Sequence, residues 1–286
     1  MVRLTPMQVQ SYRDDGYLLL ESAIPDAIVD DLVGAMNGFV DRSRSLTAST
    51  SDILLGPGHS PQMPMLRRIP QTVAFHSVFE DFGLRGPLLD IVEDLIGPDI
   101  RFHHSKLNFK SPRGGEEIKW HQDIQFWPHT NYSPLTVGVY LTDVDESMAP
   151  MGVFAGSHRG PIHTLRDPSG VWTGALSETE ATALDPSRLK WLMGPRGSVT
   201  IHNCRAVHGS KANLSDRMRP LLLHTYAPAD AIPLTRIMDP VRFANVIVRG
   251  GPPSVARFDA EPCPLPPDWG AGDYSSIFSA QQEKLG

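Results

Sequence analysis

The first residues able to do chemistry stand in Trp120-His121-Gln122-Asp123. In a strand, residues two apart point to one face, so the His121 imidazole and the Asp123 carboxylate would lie side by side. One further histidine, distant in sequence, would complete a set of two imidazoles and one carboxylate. Such a set grips iron(II) from one side and leaves three positions open. By itself the pair is weak evidence. Eleven histidines and 22 aspartates in 286 residues produce about one His-x-Asp triplet by chance. A buried, hydrogen-bonded His–Asp pair is the plain alternative.

The context adds weight. Val207-His208-Gly209-Ser210 follows a strand-like run, Gly197–His202, and Arg219 comes eleven residues after His208. A hairpin between His208 and Arg219 would put both on neighbouring strands facing one cavity. Arginine suits two-point capture of a carboxylate. Arg217 is its competitor, two residues earlier and so on the same strand face.

The remaining histidines and basic residues read more plainly. His103 and His104 are adjacent, so on a regular strand they face opposite ways and cannot both serve one site. His202 and His224 alternate with apolar residues, as satisfied core or cavity-lining histidines do. His224, at odd spacing from Arg219, falls on the opposite face. Cys204 has no paired base and is not expected to be catalytic. Gly156–Gly160 reads as a turn rather than a phosphate loop. Arg67-Arg68 is either a solvated pair or a reception point for an anionic substrate.

The elements that must position these residues are legible in outline. Thr5-Pro6 caps a helix that ends before Gly16. Tyr17–Leu20 is a strand. Pro25 starts a second helix with Val29, Leu32, Met36 and Phe39 on one face. Residues 43–64 are rich in Ser, Thr, Gly and Pro and read as a mobile lid. Gly86-Pro87 opens a helix that Gly97 stops. After Pro98 the pattern becomes a series of short strands at Ile100–Lys110 (Ile100, Phe102 and His104 alternating), Ile118–Asp123, Thr136–Thr142, Gly152–Phe154, Ser198–His202, Val207–Ser210 and Arg217–Tyr226. One helix interrupts at Ser177–Leu184, with Ser177 and Glu180 forming a capping box. Helices first and many short strands afterwards imply a mainly β sandwich or barrel.

Composition excludes several classes. Two cysteines cannot build a disulfide framework or a multi-thiolate metal site and suit a reducing compartment. No apolar run approaches a membrane span. A net charge of −6 and a pI near 6.0 argue against nucleic-acid binding.

Taken together, His121-x-Asp123, Gly156-Ser157-His158-Arg159-Gly160, His208 and Arg219 resemble the phytanoyl-CoA dioxygenase family of iron(II)/2-oxoglutarate oxygenases, which includes ectoine hydroxylases. The likeness runs from Gly16-Tyr17 to about Pro228. It implies a double-stranded β-helix, a jelly-roll, cupin-like barrel with the N-terminal helices packed on one sheet. It also implies iron at His121, Asp123 and His208, with Arg219 pairing to the distal carboxylate of 2-oxoglutarate. Ser210, Asn108 and Tyr140 match positions facing that co-substrate, and Trp127 matches an aromatic in the substrate pocket. O2 would be the second co-substrate, and a C–H bond of a small molecule would be hydroxylated with release of succinate and CO2.

Two rival readings stand beside this one. The same cofactors could drive desaturation or ring formation; halogenation is disfavoured because Asp123 fills the position a halide would need. A non-catalytic metal-binding jelly roll would not need Arg219. The sequence predicts one domain over 1–286, with a mostly helical part at 1–97, the jelly-roll core at 98–228 and a wrapping segment at 229–286. The expected partner is a small-molecule substrate, with no nucleic acid, no membrane and a cytoplasmic location.

Overall fold

The structure, a computed structural model, describes all residues except 1, 236–242, 244, 268–276, 278–280 and 282–286. The tail expected to wrap the surface therefore lies partly outside the described residues. Among the described residues no helix is long and apolar enough to cross a membrane.

The helical part forms as its caps dictate. In α1 (Pro6–Asp15) the Thr5 side chain accepts from Gln8 N, and Gly16 ends the helix at φ 77°. The α2 helix (Asp26–Ser43) buries Val29, Leu32, Met36 and Phe39. Two helices escaped the sequence reading, α3 (Thr72–Phe75) and α4 (Ser77–Arg85). The last N-terminal helix, α5 (Leu88–Ile96), buries Leu88, Leu89, Ile91 and Val92. Each such side chain contributes roughly 1.5–3 kcal/mol of burial free energy. The short α6 (Glu178–Thr182) carries the expected Ser177–Glu180 capping box.

The strands are β1 (Tyr17–Leu20), β2 (Leu54–Leu55), β3 (Leu66–Pro70), β4 (Ile100–Lys110), β5 (Ile118–His121), β6 (Leu135–Tyr140), β7 (Met151–Phe154), β8 (Leu189–Leu192), β9 (Val199–Asn203), β10 (His208–Ser210), β11 (Arg219–Pro228) and β12 (Ile247–Arg249). They form two antiparallel sheets. The larger runs β1-β9-β6-β11-β4-β3-β2, with β12 also on β4; the smaller runs β5-β10-β7-β8. This is a mainly β, cupin-like jelly roll, and its two sheets stay open rather than closing into one barrel. The helices pack on the outer face of the large sheet, where Phe79, Leu88 and Ile91 share a core with Leu107, Val137 and Leu222.

Two expectations are corrected here. Residues 43–64 are anchored rather than loose: Ile53 is fully buried, β2 pairs with β3, and His59 Nε2 bonds to Ser43 O at 3.0 Å. His208 and Arg219 do not form a hairpin. Strand β10 pairs with β5 and β7, and β11 with β4 and β6, so the two residues face each other from opposite sheets.

Strand β4 also departs from simple alternation. Thr225 pairs with His104 and Tyr226 with Phe102, so His103 is an extra residue, a β-bulge. Ile100 and Phe102 lie in the helix-side core. Past the bulge the phase is shifted by one, and Lys106, Asn108 and Lys110 line the cavity between the sheets.

Candidate metal and co-substrate site

The bulge and the strand ends bring the chemistry together. His121 closes β5, and Asp123 opens a single 3₁₀ turn (Asp123–Gln125) after an extended Gln122. The strand is shorter than expected, yet the extended Gln122 keeps residues 121 and 123 on one side. His208 opens β10 and pairs directly with His121, their ring centroids 4.2 Å apart.

One ligand atom from each of His121, Asp123 and His208 lies within 4.8 Å of the other two, and all three residues are buried. Each imidazole has its Nδ1 beside a carbonyl oxygen, Lys119 O at 2.8 Å and Ala206 O at 3.0 Å. Nδ1 must therefore carry the proton and donate, which turns each Nε2 lone pair inward. Asp123 is oriented in the same way. Its Oδ2 accepts from Thr136 Oγ1 at 3.1 Å and from His202 Nε2 at 3.2 Å. Its Oδ1 faces the Nε2 atoms of His121 and His208, each at 3.8 Å. A slight contraction of that spacing would meet the roughly 2.0–2.2 Å bonds of an ion held by imidazole and carboxylate. The donor set and its fixed lone pairs fit a divalent metal.

Electrostatics favour the same ionisation states. Burial pushes His121 down to about 4 and His208 well below the usual imidazole value. Burial by itself would raise Asp123, but His208, the His202 hydrogen bond and the Lys106 ammonium outweigh it and hold the carboxyl well below the usual range. At neutral pH the site offers two neutral imidazoles and one carboxylate, so no proton must leave before a cation binds.

Arg219 lies at the start of β11, 3% exposed, on the cavity wall. Its Nη2 donates to Ala149 O at 3.1 Å, and its Nε is buried without a hydrogen-bond partner. A buried guanidinium edge in that state fits a carboxylate from outside the chain. Arg217 lies outside the strand, exposed and ion-paired with Asp145, so the face-sharing argument for it fails. Asn108 and Ser210 line the same cavity. Asn108 Oδ1 is buried and unpartnered; with the amide turned over, its NH2 would face a carboxylate instead.

Two expected residues stand elsewhere. Tyr140 points to the cavity side of β6, but its hydroxyl donates to Leu192 O at 2.6 Å and accepts from Met151 N at 3.3 Å. Its ring packs with Val144, Met148, Leu221 and Leu223, so it clamps β6 to β7 and β8. Trp127 packs with Ile124 and Cys204 and lies 5.4 Å, between ring centroids, from His103. Cys204 is buried, and desolvation raises its thiol well above the usual range, as befits an inert side chain.

Other residues were missed. His202, expected as core or cavity lining, holds Asp123, and Thr136 shares that task. Lys110 Nζ donates to Glu116 O at 2.6 Å, Ser210 O at 3.3 Å and Lys211 O, tying β4 to β10 beside Arg219. Its place two residues after Asn108 was the available signal. His103 and His104 do share a side, their Nδ1 atoms 2.6 Å apart, because the bulge cancels the alternation that was to separate them. His224 is on the opposite face from Arg219, as expected, against Phe82 and Phe102. Arg67 makes a forked pair with Glu116 at 2.7 and 2.8 Å. The Gly156–Gly160 turn serves His208, since Ser157 Oγ accepts from Val207 N at 2.8 Å.

With this geometry in view, comparison with known proteins is informative. Residues 12–221 match the phytanoyl-CoA dioxygenase family. A probable alpha-ketoglutarate-dependent hypophosphite dioxygenase from Stutzerimonas stutzeri is 32% identical over 229 residues, covering 79% of this chain and 80% of that protein. An ectoine dioxygenase from Bordetella parapertussis is 28% identical over 247 residues, 78% of this chain and 75% of the other. The fold is shared with EctD from S. alaskensis solved with bound Fe, at a TM-score of 0.69 and 22% identity, covering 90% of this chain and 87% of that one. The chain belongs to the phytanoyl-CoA dioxygenase family.

Proposed function

We propose that this member of the phytanoyl-CoA dioxygenase family is an iron(II)- and 2-oxoglutarate-dependent dioxygenase that hydroxylates a small molecule. The observation that carries the reading is the convergence of His121 Nε2, His208 Nε2 and Asp123 Oδ1, each with its other polar atom tied down. The family match and the names of its relatives, dioxygenases of hypophosphite and ectoine and an L-proline trans-4-hydroxylase, support the cofactor class and a small substrate.

In this reading His121, Asp123 and His208 hold the iron, which together with O2 supplies the oxidising power. Arg219 holds the distal carboxylate of 2-oxoglutarate, with Asn108 and Ser210 beside it. Thr136 and His202 keep Asp123 from rotating, and Ser157 fixes the backbone just before His208. Met151, Leu221 and Leu223 line the cavity and keep water from the reacting atoms. The balance is R–H, 2-oxoglutarate and O2 giving R–OH, succinate and CO2, with one oxygen atom in each of the alcohol and succinate. The whole chain acts as one catalytic unit.

The test is succinate formation with iron(II), 2-oxoglutarate and oxygen across a panel of small molecules, in the wild type and in Asp123→Ala. Loss of substrate-stimulated succinate in the variant, with a product one oxygen atom heavier in the wild type, is expected. A product lacking two hydrogens would replace hydroxylation by desaturation. No iron-dependent succinate with any substrate would favour the non-catalytic reading.

A further inference from the structure

The charged groups on the cavity wall differ in how far the protein itself satisfies them. Asp123 is held by Thr136 and His202. Arg219 donates to Ala149 O, and Lys110 to three carbonyls. Lys106 lines the same cavity, and among the described residues its ammonium makes no hydrogen bond and no ion pair. Burial pushes it down to about 8, with Asp123 opposing that shift, so it is still charged at neutral pH. Arg68 deepens the positive field: it acts on Lys106, and the two together help to keep His104 neutral. All three come from the adjacent strands β3 and β4. A part-buried cation with no partner is costly, and a site that retains one has a use for it.

That partner is not supplied by the co-substrate in the reading above. In that reading Arg219 takes the distal carboxylate of 2-oxoglutarate, and the other carboxylate would lie toward the metal held by His121, Asp123 and His208. Lys110 pairs across the ladder with Arg219, whereas Lys106 pairs with Leu223, four residues or about 14 Å further along β4. A five-carbon diacid spans about half of that. Charge points the same way. The divalent ion, Arg219 and Lys106, set against Asp123 and the two carboxylates of the co-substrate, leave the loaded cavity with one surplus positive charge; Lys110, which burial and Arg219 push down to about 6, adds none at neutral pH.

We propose that Lys106, flanked by His104 and Arg68, anchors the negatively charged head group of the substrate, which is therefore a small oxyanion of the carboxylate or phosphonate class. The assignment rests on the dioxygenase reading and names the substrate chemistry of that site. Neutral molecules of the same shape leave Lys106 unpaired and are rejected for that reason.

The test is calorimetric binding to the full chain loaded with zinc(II), which has no redox chemistry, and 2-oxoglutarate. The probes are methylphosphonate, acetate and neutral acetamide, and the two anion arms distinguish a tetrahedral from a planar head group. At least one anion should bind about tenfold or more tighter than acetamide. Lys106→Gln and Lys106→Met should each weaken that anion about tenfold or more while changing 2-oxoglutarate affinity less than about threefold. Lys106→Arg should restore most of the anion binding. Equal binding of anion and acetamide, anion affinity unchanged in the Gln and Met variants, or a matching loss of 2-oxoglutarate in them would overturn the assignment. The last result would make Lys106 a co-substrate residue. A wild type that binds no 2-oxoglutarate overturns the dioxygenase reading and this assignment together. Intact co-substrate binding without anion selectivity overturns this assignment alone.

Discussion

Replacing Arg219 by Met should separate stability from function in opposite directions. The guanidinium is 3% exposed, and its Nε has no hydrogen-bond partner. Without co-substrate the folded chain therefore carries a desolvated cation with one hydrogen bond among the described residues, to Ala149 O, beside Lys110, which burial and Arg219 push down to about 6. Met keeps much of the volume, gives up that one bond at about 1 kcal/mol, and relieves a desolvation penalty of several kcal/mol. The variant should thus be as stable as the wild type or more so, by ~1 kcal/mol or about 2 °C for a chain of this size. The effect on 2-oxoglutarate runs the other way. Truncating one partner of a buried charge pair costs about 2–5 kcal/mol, which is roughly 30-fold to several-thousand-fold in the co-substrate requirement. Metal affinity should change little, because Arg219 touches none of the three candidate ligands. Thermal melts with and without zinc(II) and 2-oxoglutarate, together with a 2-oxoglutarate titration, read both effects. A requirement within about twofold of wild type would refute the role of Arg219. A melting temperature that falls steeply would refute the argument that its buried charge strains the unloaded fold.

Three further outcomes are expected. Thr136→Val and His202→Phe each remove one of the two groups holding Asp123 Oδ2, and each should weaken metal binding about 10- to 100-fold; unchanged affinity in a metal titration would show that Asp123 needs no such support. Burial holds His121 and His129 near 4 and His224 near 3, against about 6.5 in the unfolded chain. The unfolded chain then binds more protons below about pH 6.5, so stability is full above that pH and lost as pH falls toward 4. Denaturant titrations across this range should show the loss, and His224→Leu, which removes a ring with two unpartnered nitrogens, should make it shallower. Deleting His103 should be tolerated, because the ladder becomes regular with Phe102 still in the core and Lys106 still in the cavity; deleting Leu107 instead should abolish folding by reversing the faces on one side of it. A soluble, cooperatively melting Leu107 deletion would refute that register argument.

What the sequence determined is local. Helix caps at Thr5, Gly16 and Ser177 depend on a few neighbouring residues, and the structure has them where the sequence reads them. The pairing of His121 with Asp123 also depends only on an extended Gln122. The spacing of His208 and Arg219 marked them as candidates by composition and order, and His224 falls on the expected face because β11 is regular there. Tertiary structure decided everything that depends on which strands meet. Hydrogen-bonding edges of a strand are alike along its length, so nothing within 208–219 specifies that β10 joins the small sheet and β11 the large one. That choice follows from burying the apolar faces of both sheets at once. It converts an expected hairpin into two walls of a cavity. The bulge at His103 is likewise invisible locally, since both neighbours suit a strand; it exists because Phe102 must face the helices while Lys106, Asn108 and Lys110 face the cavity. His202 and Thr136 reach Asp123 from β9 and β6, and Tyr140 spends its hydroxyl on β8. Such contacts join residues tens of positions apart. Periodicity assigns a residue to a face of its own element, and only packing decides what that face meets.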